Sequence, residues 1–105
     1  MTATRWRIGD IPAAYSAIVA LADECGLLPC IFGGVVKRGE GRDLDVLMVG
    51  RRGRTGRADL FLERFGGTRI KTVLRPLTGT ESYEVERDGR IFNFVFGTVR
   101  AERHE

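Results

Sequence analysis

Histidine is almost missing from this chain. Its one histidine is His104, near the end, and its two cysteines, Cys25 and Cys30, have no second cysteine pair to join them. A zinc site needs about four nitrogen and sulfur ligands at short spacings, so this inventory argues against one. Catalysis by a Cys–His pair is disfavoured for the same reason, and both thiols are expected to be free and at least half-buried. No apolar stretch is long enough to span a bilayer, because acids or bases interrupt each one. The stretch from Met1 to Asp10 lacks the apolar core of a secretory signal, so a cytoplasmic location and no membrane partner are expected. Repeats, low-complexity segments and linkers are missing as well.

What is present describes an ordinary folded domain. The 105 residues suffice for one core and are too few for a second, so 1–105 reads as a single domain with 1–9 and 99–105 loosely ordered. Trp6 and Ile8 can pack as a short lead-in or edge strand. Lys plus Arg exceed Asp plus Glu by 17 to 14, and the resulting +3 inclines the chain only weakly toward anionic partners.

Periodicity supplies the elements. Asp10 can cap a helix, and Pro12 is tolerated in its first turn. Ile11, Tyr15, Ile18, Ala22 and Cys25 recur at three- and four-residue spacing before Gly26, which predicts a helix over 11–25. Residues 30–36 read as a buried strand broken by Gly33-Gly34, a pair that marks a bulge or a close approach to the backbone. Residues 43–49 form the next strand, apolar on both faces from Val46 on, as a central strand covered on both sides would be. Thr55 is a candidate cap for a second helix, with Ala58, Phe61, Leu62 and Phe65 as its inward stripe and Gly66-Gly67 as its stop. Residues 68–77 are strand-like, closed by a turn at Pro76 and Gly79. Asp88-Gly89 then joins two further strands in the preferred chemistry of a two-residue hairpin turn. That register sets Val85 against Phe92 and Glu84 against Asn93, with Tyr83, Val85, Phe92, Phe94 and Phe96 on the core face. The order helix, strand, strand, helix, strand, hairpin predicts an α/β (α+β) domain, a mixed β-sheet with both helices on one face.

The face left open carries the chemistry. Side chains alternate along a strand, so Asp43 and Asp45 point the same way while Leu44 and Val46 point the other. Two carboxylates at that spacing suit a divalent cation, and glycines just before them let backbone approach a phosphate. Lys37, Arg38 and Arg42 lie in the intervening loop and can offset phosphate charge. A second basic run, Arg51, Arg52, Arg54 and Arg57, has no interleaved aromatics and reads as a solvated loop rather than a platform for stacked bases.

Phe32-Gly33-Gly34, the loop 35–42 and Asp43-Leu44-Asp45-Val46 together resemble the nucleotidyltransferase superfamily of DNA polymerase β. The family pattern is a strand ending in Gly-Gly or Gly-Ser, a variable loop, acid-hydrophobic-acid-hydrophobic on the next strand, and a third carboxylate from a later strand. The run from Gly33 to Arg38 with Arg42-Asp43-Leu44-Asp45 is most similar to the head of the tRNA nucleotidyltransferase and poly(A) polymerase branch. The length is similar to that of the minimal nucleotidyltransferases, some of them antitoxins that modify a partner toxin. The resemblance implies transfer of a nucleoside monophosphate from an NTP such as ATP to a hydroxyl of a protein, a small molecule or an RNA end, with Mg²⁺ or Mn²⁺ held by Asp43 and Asp45. Gly33, Gly34, Lys37, Arg38 and Arg42 would meet the nucleotide phosphates.

One position departs from the pattern. The third carboxylate, expected as the base, falls in Ile91-Phe92-Asn93-Phe94-Val95, where the residue is Asn93. An amide can ligate a metal but cannot accept the proton of an attacking hydroxyl. Glu84, across from Asn93 in the hairpin, or Glu86 one step along, can supply the missing carboxylate. The alternative is a lapsed member of the family that binds nucleotide, nucleic acid or a protein partner without turnover. A domain this small has little wall around a substrate, so a second copy or a partner chain is expected to complete the pocket.

Overall fold

The computed structural model describes residues 3–51 and 56–97. Along the chain come β1 (Trp6–Arg7), α1 (Ile11–Glu24), β2 (Leu27–Phe32), α2 (Gly34–Arg38), β3 (Glu40–Gly41), β4 (Asp43–Gly50), α3 (Ala58–Phe65), β5 (Thr68–Arg75), β6 (Thr80–Arg87) and β7 (Arg90–Phe96). A 3₁₀ turn over Ile8–Asp10 links β1 to α1. The main sheet has five strands in the order β2-β4-β7-β6-β5, and β1 and β3 form a separate two-stranded ribbon. Only the β4–β7 pairing is parallel within the main sheet. The chain is therefore a small mixed α+β domain.

Both longer helices cover one face of that sheet. The predicted stripe of α1 is the buried one, with Ile18 and Ala22 shut away, and Tyr15 donates its hydroxyl to the Pro29 carbonyl of β2 at 2.9 Å. In α3, Phe61, Leu62 and Phe65 point inward, and Gly66 at φ +77 ends the helix. Their partners are alternate residues of the central strands: Leu44, Val46 and Met48 of β4 and Phe94 of β7 are all 0% exposed. Aromatic edges meet aromatic faces here, with Phe61 4.9 Å from Phe94 and Phe65 4.8 Å from Phe92. Each such contact adds about 0.5–1.5 kcal/mol to what burial contributes.

The hairpin forms in its expected register, Glu84 opposite Asn93 and Val85 opposite Phe92. Asp88 and Gly89 take φ of +55 and +77, as this turn requires. Four expectations need correction. The strand foreseen over 30–36 begins at Leu27 and stops at Phe32, because Gly33 leaves the extended region and the chain enters α2. Val35 is then fully buried, Val36 is 49% exposed, and the Val35 carbonyl accepts from the Gly39 N–H at 2.8 Å, an i to i+4 bond that a strand does not make. Strand β4 is covered on one side only: Leu47 and Val49 are half-buried on the open face, since both longer helices lie on the other. Cys30 shares that open face and is exposed, whereas Cys25 is buried and burial pushes its thiol above the ordinary range.

The fourth correction concerns the start of the chain. Residues 3–9 are not loose: Trp6 is 1% exposed, packs edge-on against Phe92 at 5.1 Å, and donates from its indole Nε1 to the Ile91 carbonyl at 2.7 Å. Strand β1 in turn pairs with β3, pinning the segment just before Asp43. Residues 98–105, Thr55, Arg52 and Arg54 lie outside the described residues. Among the described residues no helix is long and apolar enough to cross a membrane. Trp6→Phe keeps an aromatic ring but removes the buried donor to the Ile91 carbonyl, a loss expected to cost about 0.5–1.5 kcal/mol. Urea unfolding followed by circular dichroism checks it, through a lower midpoint at an unchanged slope.

Candidate active site

Strand register places the predicted residues on the open face of the sheet. Phe32 of β2 pairs with Asp45 of β4, Asp45 with Asn93 of β7, Asn93 with Glu84 of β6, and Glu84 with Lys71 of β5. Directly opposed residues point to the same side. One row thus crosses all five strands: aromatic ring, carboxylate, amide, carboxylate, ammonium. Asp43 stands one step along β4, beside Ile91 in the neighbouring row. A register irregularity between Arg69 and Lys71 brings Lys71, instead of Ile70, opposite Glu84.

Gly33 closes one end of the row. Its φ of +86 and ψ of −152 belong to a region open essentially to glycine alone. The Asp45 carboxylate lies against it: a Cβ at Gly33 would overlap Oδ2 of Asp45 and fall 2.9 Å from its Cγ. The turn therefore needs glycine twice, for the backbone angle and for the space the carboxylate occupies. Gly34 opens α2, and the Arg38 guanidinium folds back from the end of that helix, with Cζ 3.3 Å from where a Gly34 Cβ would stand. Gly39, at φ +83, ends α2 by donating to the Val35 carbonyl at 2.8 Å. Lys37 is exposed on the same short helix.

Asn93 is tied to the first of the acids. Its Nδ2 donates to Oδ1 of Asp45 at 2.9 Å, so the amide orients that carboxylate. An aspartate at position 93 would set two carboxylates at that separation, which demands a proton or a cation between them. Glu84 is two strands from Asp45, about 9.6 Å between strand axes at ordinary spacing. Its Oε1 is engaged by the Arg42 guanidinium at 3.3 Å, and Arg42 also lies 3.9 Å from Oδ2 of Asp43. Among the described residues no three Asp, Glu, His or Cys side chains gather closely enough to form a metal cage by themselves. Glu86 is exposed, one row further along.

The electrostatics are those of a carboxylate cluster short of positive charge. Burial first, then the charges of Asp45 and Glu84, push the Asp43 carboxyl above its ordinary value, and Arg42 pulls it part of the way back. Ionising Asp43 therefore costs free energy that a bound cation would return.

Asp43, Asp45, Asn93, Glu84, Gly33, Gly34, Arg38 and Arg42 are brought to one end of the open face. Lys37 is tied to Gly33 by its backbone, its N–H donating to the Gly33 carbonyl at 3.1 Å, while its side chain is exposed. The described arginines of the second basic run are engaged elsewhere, Arg51 with Asp23 at 2.8 Å and Arg57 with Asp59 at 3.4 Å. A cleft of ≈ 500 Å³ between α1, α3 and the hairpin turn, lined by Trp6, Asp10, Phe65, Arg90 and Phe92 among others, contains none of the predicted residues. Phe32, 42% exposed beside Asp45, and Lys71 beside Glu84 join the row without having been singled out from sequence. Phe32 was readable as the neighbour of Gly33, but the placement of Lys71 depends on the irregularity in β5.

Comparison of the chain with protein-family models and with curated proteins returns no match. Gly33→Ala is expected to lose about 1–3 kcal/mol of stability from the backbone angle alone. Displacement of Asp45 should add to that loss. Gly89→Ala is the control, since a Cβ there meets nothing within 4 Å and only the backbone term remains. Thermal melts of the two variants side by side should show the larger drop for Gly33→Ala.

Proposed function

We propose that the chain transfers a nucleoside monophosphate from an NTP to a hydroxyl acceptor, using a divalent cation held by Asp43 and Asp45. The observation that carries the reading is the packing of the Gly33 turn directly on the Asp45 carboxylate, which puts a phosphate-compatible backbone and a cation ligand in contact. The donor set suits the group: hard carboxylate oxygens on one face, one of them costly to ionise without a nearby positive charge. Bound there, Mg²⁺ or Mn²⁺ would neutralise charge on the phosphates and on the attacking and leaving oxygens.

The chain's own groups do the rest. Ahead of the Lys37 N–H, which donates to the Gly33 carbonyl at 3.1 Å, the N–H groups of Gly34, Val35 and Val36 have no acceptor within α2 and would be offered to phosphate oxygens. Arg38 beside Gly34, and Lys37 one residue earlier, would balance phosphate charge. In the reaction the acceptor oxygen bonds to the α-phosphorus, the bond from that phosphorus to the bridging oxygen breaks, and pyrophosphate leaves. Asn93 holds Asp45 in place but cannot take the acceptor's proton. The proton lost from the acceptor hydroxyl would go to the next carboxylate along the row, Glu84, opposite Asn93 on β6.

A second reading rests on that same amide. The Asn93–Asp45 hydrogen bond gives the site a stable arrangement in which position 93 has no proton acceptor, as suits a module that binds nucleotide or a partner without turnover. Labelled NTPs with Mg²⁺ or Mn²⁺ and candidate acceptors separate the two. Transfer that falls by at least about 10³-fold in the Asp43→Ala/Asp45→Ala variant, the loss of several kcal/mol of charge stabilisation, supports the enzyme. Metal-dependent NTP binding without transfer, with transfer gained in Asn93→Asp, supports the lapsed form. Failure to bind both NTP and metal refutes the site altogether.

A further inference from the structure

We propose that Arg42 is the built-in counter-ion of the carboxylate row, a cation that a divalent ion must displace, so that Arg42 sets the metal affinity of the site. The inference rests on the reading of Asp43 and Asp45 as cation ligands. Arg42 is the single residue between β3 and β4, and the pairing of β3 with β1 fixes the backbone on its amino-terminal side. Its guanidinium reaches across the sheet end to Oε1 of Glu84 at 3.3 Å and to Oδ2 of Asp43 at 3.9 Å. Among the described residues it is the one cation paired with any of Asp43, Asp45 and Glu84.

The three partners are not equally free to move. The Asp43 and Glu84 side chains are 25% and 18% exposed and stand on β4 and β6, with β7 between them, whereas that of Arg42 is 56% exposed. The carboxylates are the fixed part and the guanidinium is the part that can leave. Pairs with so exposed a partner are weak, so water can compete for the guanidinium at small cost. A guanidinium within 4 Å of Asp43 still repels an arriving divalent charge, because the interaction falls only as the inverse of distance. Once displaced, Arg42 would release Glu84, and the guanidinium would be free to meet a phosphate oxygen of the nucleotide arriving with the metal.

Mn²⁺ titration without nucleotide, at low ionic strength and read by the electron paramagnetic resonance of free Mn²⁺, tests this directly. Arg42→Gln is expected to bind Mn²⁺ on the order of 10-fold tighter than the wild type, while Arg42→Lys, which keeps a cation, stays close to it. Arg64→Gln removes the same charge from α3, where Arg64 pairs with Glu24 at 2.9 Å, and is expected to leave the affinity unchanged. Equal or weaker binding in Arg42→Gln overturns the counter-ion role, and so does an equal gain in Arg64→Gln, which would reflect net charge alone. If neither the wild type nor Arg42→Gln binds Mn²⁺, the cation site itself is refuted, and this inference falls with it.

Discussion

The close seating of the Asp45 carboxylate on the Gly33 turn is the constraint on which the rest of the site depends. No side chain fits between them, so the end of β2 and the start of β4 are locked at one distance and one angle. That lock decides where α2 begins, since Gly33 leaves the strand at its positive φ and the helix starts at the next residue. It also decides which way Asp45 faces, and with it the whole row from Phe32 to Lys71.

The core maintains this arrangement from behind. Leu44 and Val46 flank Asp45 in sequence and are fully buried on the opposite side, so β4 cannot slip by one residue without exposing them and burying the acids. The phenylalanines of β7 and α3 hold β4 and β7 in parallel register, which sets Asn93 beside Asp45. Trp6 fastens β7 to the amino-terminal segment through the Ile91 carbonyl, and that segment in turn backs the approach to Asp43 through the β1–β3 ribbon. The site is thus positioned by sheet register and needs no long loop to assemble it.

Much of this was legible in local pattern. The three- and four-residue spacing from Ile11 to Cys25, the phenylalanine stripe of α3 and the Asp88-Gly89 turn each carry their own signal. The hairpin register alone placed Glu84 across from Asn93. What sequence did not disclose came from tertiary contacts. Val35 and Val36 read as strand until the glycine angle turned them into α2. Trp6 lies in a segment without periodicity, and its burial follows from Phe92 and Ile91 more than eighty residues away. Leu47 and Val49 are apolar, yet their side of β4 remains open because both longer helices chose the other. Lys71 reached the row through a single irregularity that no propensity announces. The pairing of Arg42 with Glu84 spans elements whose proximity only the parallel β4–β7 contact creates.

The central claim is that Asp43 and Asp45, with the Gly33 turn, form one cation and phosphate site. Paramagnetic broadening of backbone amide signals by substoichiometric Mn²⁺, with and without a non-hydrolysable NTP analogue, tests it most directly. Broadening is expected to centre on Gly33, Gly34, Asp43 to Asp45 and Asn93, to tighten with the analogue and to be absent in the Asp43→Ala/Asp45→Ala variant. Broadening centred instead on the exposed acids of the helix side, such as Glu24 and Asp59, or unchanged by loss of both aspartates, would contradict it.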